Sequence, residues 1–183
     1  MKKLLLALFT TALLFNYSIA QTDSIAFYKK TSAMIPMRDG IKLHTVIFSP
    51  IGAAHALPVL LQRTPYGANG SNVPDDTTFN VQAFGTSLGV MLKEGYFLVF
   101  QDIRGKYKSE GKMEIHQPLI HATVKGGIDE STDTWDTVDW LIKNLKGNSG
   151  KAGLFGISYG GWLALVGAVN PHPALKASSS RLV

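Results

Sequence analysis

The sequence predicts an α/β fold: a mostly parallel central sheet with an N-terminal hairpin and flanking helices. Three observations carry that expectation. Asp39-Gly40, a turn signal, separates two apolar-rich runs. Residues 96–100 form an unbroken apolar run, the mark of a strand buried on both faces. Beyond it, strand-like and helix-like segments alternate, as they do where a parallel sheet is joined by crossover helices.

The first twenty residues stand outside that fold. Lys2 and Lys3 precede an apolar run, residues 4–15, broken only by Thr10 and Thr11. Ser18-Ile19-Ala20 then supplies small residues for cleavage, leaving Gln21 as the mature start. The pattern is that of a secretory signal peptide, so the protein is expected to be secreted or periplasmic. The run is shorter than the roughly 20 residues a membrane span needs, so no stable anchor is expected after cleavage.

The elements follow in order. Residues 21–32 read as a loose lead-in. Residues 33–37 and 41–48 are the hairpin strands, 49–57 a turn region, and 58–62 a short strand. Residues 63–80, rich in Gly, Pro, Asn and Asp, read as a loop. Residues 83–93 are helical, stopped by Gly95. After the buried strand, residues 102–127 form a long polar loop. Residues 131–146 are the best helix, with Ser131, Thr132 and Asp133 as cap candidates. Its apolar stripe holds Trp135, Val138, Leu141, Ile142 and Leu145, and Trp135 and Trp140 are expected in the core. A buried strand at 152–155 leads to a helix over 159–169, ended by Asn170-Pro171. A further strand starts at 175–178.

Composition narrows the function. Hydrophobic residues make up 45% and charged residues 17%, enough apolar material for a packed core. The formal charge of +5 falls to +3 once Lys2 and Lys3 leave, and no Lys/Arg cluster exists, so nucleic acid is not an expected partner. Cysteine is absent, so the core alone must hold an exported domain. Asp133, Asp136 and Asp139 are spaced by three along a helix. Capping and dipole complementation is preferred over a cation site, and no metal or cofactor is expected. Residues 147–151 lack the Ser/Thr of a phosphate loop and precede their strand, so that reading is rejected. Asp102 and Arg104 sit just past a buried strand at the sheet edge where ligands bind. A buried ion pair or backbone brace is preferred there over a catalytic role.

The chemistry lies in Gly156-Ile157-Ser158-Tyr159-Gly160, a match to Gly-x-Ser-x-Gly. A buried strand enters it and a helix leaves it, the setting in which this motif holds a nucleophilic serine. The turn is so tight that side chains two residues either side of the serine would collide with it or with neighbouring backbone. Ser158 then projects at the carboxyl edge of the sheet as the candidate nucleophile. The Tyr159 backbone N–H, at a helix N-terminus, points to where a tetrahedral oxyanion would form. The alternative is a glycine-rich turn with an inert serine.

Four stretches give this motif a family context. They are Met37-Arg38-Asp39-Gly40-Ile41-Lys42-Leu43, then Arg63-Thr64-Pro65-Tyr66, then Gln101-Asp102-Ile103-Arg104-Gly105 with Ser109-Glu110-Gly111, then Asp136-Thr137-Val138-Asp139-Trp140-Leu141 leading to the serine turn. In this order they resemble α/β-hydrolase serine hydrolases of the CocE/NonD type. That group holds X-Pro dipeptidyl-peptidases, bacterial cocaine esterase, glutaryl acylases and α-amino acid ester hydrolases. Asp129-Glu130-Ser131-Thr132-Asp133 and Pro171-His172-Pro173-Ala174-Leu175-Lys176 look most like the α-amino acid ester hydrolase branch. The resemblance implies that residues 33–183 are the N-terminal portion of the catalytic domain, acting on a small-molecule ester or amide. It also implies that Tyr66 donates its phenolic O–H to the oxyanion, beside the Tyr159 N–H. Without the resemblance, Tyr66 reads as an ordinary loop aromatic.

In this fold the triad acid and base follow the serine. Residues 159–183 contain no Asp or Glu, and their one histidine is His172. The intervening helix carries His172 roughly 16 Å from the site. His44, His55, His116 and His121 precede the serine and fit no family position. The triad acid and base are therefore expected to be absent from these 183 residues, and the chain reads as an N-terminal fragment. Two functional readings follow: an acyl-serine hydrolase by lineage, or a non-enzymatic remnant. Substrate and oligomeric state are not legible.

Overall fold

The structure, a computed structural model, describes residues 27–68, 73–83, 86–121 and 124–182. The expected signal peptide and the first part of the expected lead-in lie outside the described residues.

Strands β1 (Phe27–Pro36) and β2 (Lys42–Ile51) form the expected antiparallel hairpin, in register from Phe27↔Ile51 to Pro36↔Lys42. Gly40 closes the turn at φ 87°, a conformation glycine adopts without penalty. The hairpin begins six residues earlier than expected. Tyr28 and Lys30 alternate inward while Phe27 faces solvent, so the period-2 pattern runs through the lysine pair. The Tyr28 hydroxyl donates to the Leu92 carbonyl at 2.6 Å, and Lys30 Nζ donates to the Val73 carbonyl at 2.7 Å. Those anchors make a strand of what reads as a lead-in.

β3 (Leu57–Thr64), β5 (Phe97–Asp102), β6 (Asn148–Ile157) and β7 (Leu175–Arg181) are mutually parallel where they pair. A three-residue strand, β4 (Thr78–Asn80), adds to β1 inside the expected loop. The seven strands make one mixed sheet in the order β4-β1-β2-β5-β3-β6-β7. β5 lies between β2 and β3 and is buried at all six positions: Phe97 to Phe100 as its apolar run predicts, and the polar Gln101 and Asp102 besides.

Helix α1 (Thr86–Lys93) follows a single 3₁₀ turn at Val81–Ala83, so the expected helix starts late. α2 (Glu130–Asn144) and α3 (Tyr159–Gly167) match expectation to within a turn. The N-cap of α2 is Asp129, not the expected Ser131, Thr132 or Asp133. Its carboxylate accepts the Ser131 and Thr132 N–H groups, while Thr132 Oγ1 accepts the Asp129 N–H, a capping box.

The two faces of the sheet are packed differently. On one, Phe79, Phe48, Phe100 and Phe155 meet edge-to-face across β4, β2, β5 and β6, with centroids 5.8–6.3 Å apart. On the other, α2 covers a polar row. Gln101 Nε2 donates to Thr45 Oγ1, Arg63 Nε donates to Gln101 Oε1, and Arg63 Nη1 donates to Glu130 Oε2 at 2.7 Å. Burial pushes the Glu130 carboxyl up, against the pull of Arg63. Trp140 is half-buried and packs against the core, whereas Trp135 is half-buried outside it. Trp135 instead carries Arg38 at 5.7 Å and the His172 ring.

Candidate active site

Parallel strands bring three chain segments to one edge. β6 ends at Ile157, β3 at Thr64 and β5 at Asp102, and these strands are neighbours in the order β5-β3-β6. Ser158, Tyr66 and Asp102 therefore share the carboxyl edge, on strands about 5 Å apart.

Ser158 joins β6 to α3 with φ 59° and ψ −125°. A side chain in that region is strained by roughly 1–3 kcal/mol and needs a surrounding structure that enforces it. Two backbone hydrogen bonds do so. The Ser158 N–H donates to the Arg181 carbonyl at 2.8 Å, and the Ser158 carbonyl accepts the Trp162 N–H at 3.0 Å. The residue is exposed and its hydroxyl caps nothing in the helix. Tyr159 opens α3, so its N–H is among the donors for which a helix has no internal acceptor.

The glycines of the turn divide unexpectedly. A Cβ on Gly156 would overlap the Gly160 carbonyl, as the tight turn predicts. A Cβ on Gly160 would meet only ordinary contacts, the nearest being the Arg63 carbonyl at 3.5 Å. The second close approach is at Gly161, where a Cβ would lie 2.5 Å from the Arg181 carbonyl. The neighbouring strand β7, not the turn, sets that requirement.

Tyr66 stands two residues beyond β3, its N–H on Thr64 Oγ1 at 3.0 Å and its side chain exposed. Burial pushes the Tyr159 phenol up, opposed by the His116 N–H it accepts at 3.1 Å, with Glu130 and Tyr66 adding to the rise. His116 was not singled out by its sequence context, a polar loop with no periodicity. It is held at φ 49°, with its ring stacked on Tyr159 at 4.8 Å and against Trp162 at 4.8 Å.

Asp102 and Arg104 are braces, as preferred, but they do not pair with each other. Asp102 holds His44 and the Ala68 N–H. Arg104 forks between Asp39 and Asp133, with contacts of 2.7–2.9 Å. None of the three aspartates of α2 caps it, though Asp133 lies in its acidic first turn, as dipole complementation expects. Asp133 takes Arg104, Asp136 takes Arg38, and Asp139 takes Lys143 and His172. His121 lies on Asp129, and His55 is exposed beside a cavity lined by Phe97 and Gly147, the strand-entry end.

Comparison with known proteins gives this arrangement its relatives. The X-Pro dipeptidyl-peptidase (S15 family) description matches residues 39–181. Cocaine esterase of Rhodococcus sp. (strain MB1 Bresler) is 32% identical over 169 residues, covering 89% of this chain and 24% of that protein. An aminopeptidase from the marine sediment archaeon Thaumarchaeota archaeon superposes with a TM-score of 0.68 at 40% identity, over 82% of this chain and 24% of its own. An α-amino acid ester hydrolase gives 0.68 at 39% identity, over 94% and 28%. The chain thus spans about a quarter of the length of these relatives. Its sheet matches the N-terminal part of their α/β-hydrolase fold, and the chain belongs to the X-Pro dipeptidyl-peptidase (S15) family of ester and peptide hydrolases.

Proposed function

We propose that this chain carries the nucleophile and oxyanion half of an acyl-serine hydrolase acting on small-molecule esters or amides. Ser158 is the nucleophile, and the Tyr159 N–H and the Tyr66 hydroxyl receive the oxyanion. The observation that carries the reading is the strained, exposed Ser158 between a parallel strand and a helix. Strain of that kind persists where a reactive side chain must be presented. In the reaction, Ser158 Oγ bonds to the acyl carbon and its proton passes to a base. The leaving group departs with a proton, and water then releases the acid.

The base is the missing part. Among the described histidines, His44, His121 and His172 are engaged by Asp102, Asp129 and Asp139, His116 stacks on Tyr159, and His55 lies at the opposite, strand-entry end of the sheet. No Asp or Glu follows Ser158. These 183 residues by themselves are therefore proposed to be inactive, with acid and base supplied by further sequence in an active protein. Export through the N-terminal segment remains part of the proposal, and mass measurement of the secreted form should place its start at Gln21.

The test compares this chain with a form extended in its natural reading frame past Val183. Both are assayed with a chromogenic acyl ester and a fluorophosphonate label. The expected result is turnover and labelling in the extended form, lost in Ser158→Ala, and neither in the 183-residue chain. Serine-dependent turnover by the short chain would show that an upstream histidine serves as base.

A further inference from the structure

The Tyr66 arm rests on a buried pair to which the hydrolase reading gives no task. His44 on β2 is 6% exposed and Asp102 at the end of β5 is 1% exposed. His44 Nδ1 lies 2.9 Å from Asp102 Oδ2. A carboxylate oxygen accepts, so Nδ1 carries the proton. The second carboxylate oxygen, Oδ1, accepts the Ala68 N–H at 2.6 Å. Ser109 ties the same two residues through their backbones. Its Oγ accepts the His44 N–H at 2.8 Å and donates to the Asp102 carbonyl at 2.7 Å.

Tyr66 gains little position from packing, because it is 63% exposed. Its backbone is fixed on both sides instead, by Thr64 Oγ1 before the bend and by Asp102 after it. Between them Gly67 turns at φ 103°, close enough to the Tyr107 ring that a Cβ would lie 3.3 Å from it. His44, Asp102, Tyr66 and Tyr107 line one open cavity of about 320 Å³.

We propose that His44 is a positioning residue: by holding one oxygen of Asp102 it aims the other at Ala68 and so sets where the Tyr66 hydroxyl stands. This rests on the reading of Tyr66 as an oxyanion donor. Without His44, a carboxylate oxygen is left buried and unpaired, and the side chain turns to satisfy it. Ala68 then loses its acceptor and the arm loosens.

Two measurements test this. In the 183-residue chain, amide hydrogen exchange over residues 66–68 is followed by mass spectrometry. His44→Leu should speed it tenfold or more while the β6 amides stay protected. His44→Asn should retain protection, because its side-chain N–H falls where Nδ1–H stood. His44→Gln, whose amide reaches the other ring nitrogen's place, should behave like the leucine variant and replaces it if that variant does not fold. Unchanged exchange in a folded His44→Leu or His44→Gln chain overturns the proposal. In the extended form, the same substitution should lower kcat at least tenfold with KM within twofold. It should cost nothing further in a Tyr66→Phe background, and equal losses in both backgrounds would overturn the assignment. An extended form without Ser158-dependent turnover would count against the hydrolase reading instead, and the exchange measurement then decides the role of His44.

Discussion

Ser158 and its glycines show how one position can be demanding and its neighbour permissive. Gly156 has no room for a Cβ because the Gly160 carbonyl occupies that space. Gly160 is helical and meets nothing closer than 3.5 Å. Gly156→Ala should therefore force the turn open, costing about 2–4 kcal/mol as an overpacked, strained site. Gly160→Ala should be close to neutral or slightly stabilising, since alanine favours a helix by up to about 1 kcal/mol. Urea denaturation of both variants checks this, and equal losses would mean the turn is shaped differently. The motif's pattern does not distinguish these glycines. The serine was legible because a strand-turn-helix reading surrounds it, whereas the need for Gly161 arises from β7, which no local pattern reveals. The role proposed for Tyr66 comes only from resemblance, since nothing in an Arg-Thr-Pro-Tyr loop marks an exposed ring for chemistry.

At the scale of elements, charged side chains join the hairpin turn, the polar loop and α2. Arg104 hydrogen bonds hold the Asp39 carboxyl below the usual aspartate range, against the cost of its burial. Burial raises Asp129, but the His121 and Thr132 N–H groups and the His121 ring outweigh it and lower the carboxyl overall. A depressed folded-state pKa stabilises above the unfolded value and is lost as pH falls through the folded one. Stability should thus decline as pH drops below about 4, the usual aspartate value. Glu130 runs the other way, its contribution fading as pH rises, because burial favours its neutral form. The urea midpoint, followed from pH 6 to pH 3, should fall less steeply in Asp39→Asn than in the parent chain. Parallel curves would remove Asp39 from the acid response. An apolar stripe located α2, and stop signals at Gly95 and Asn170-Pro171 bounded the other two helices of the described residues, but the sequence assigned the α2 aspartates to capping and dipole complementation. The partners of Asp133 and Asp136, Arg104 and Arg38, are distant in the chain and invisible to a helical wheel, whereas Lys143, the i,i+4 partner of Asp139, is not. The start of β1 was missed for a related reason: a buried lysine does not look like a strand's inward face until its carbonyl partner is known.

At the scale of the whole molecule, the β7 side is the least covered. β7 is exposed from Lys176 onward, and Ile157, Leu165, Val169 and Leu182 are each about half exposed or more around it. Scattered apolar residues are ordinary, but a group of them beside a sheet edge invites association. The 183-residue chain should therefore self-associate at micromolar concentration and bind an apolar dye. Leu165→Glu with Leu182→Glu should raise the monomer fraction in light scattering behind size exclusion. A parent chain that stays monomeric without binding dye would show that this surface is benign. The alternation of strands and helices made the architecture legible, including the buried β5. The order of strands was not, because β5 lies between β2 and β3 through contacts that only the folded sheet defines.

The hairpin turn carries one more consequence, in the time taken to make the chain. Arg38 donates from its backbone and guanidinium to Asp136, 98 residues later. A ribosome adding roughly 5–20 residues per second needs about 5–20 s to cross that interval. For that time the turn exists without the helix that receives it, and Arg38 stays hydrated and unpaired with α2; Arg104, only 29 residues before Asp133, waits a much shorter time. Whatever order the hairpin has during synthesis must come from its own strands, and the acidic face of α2 can only lock it afterwards.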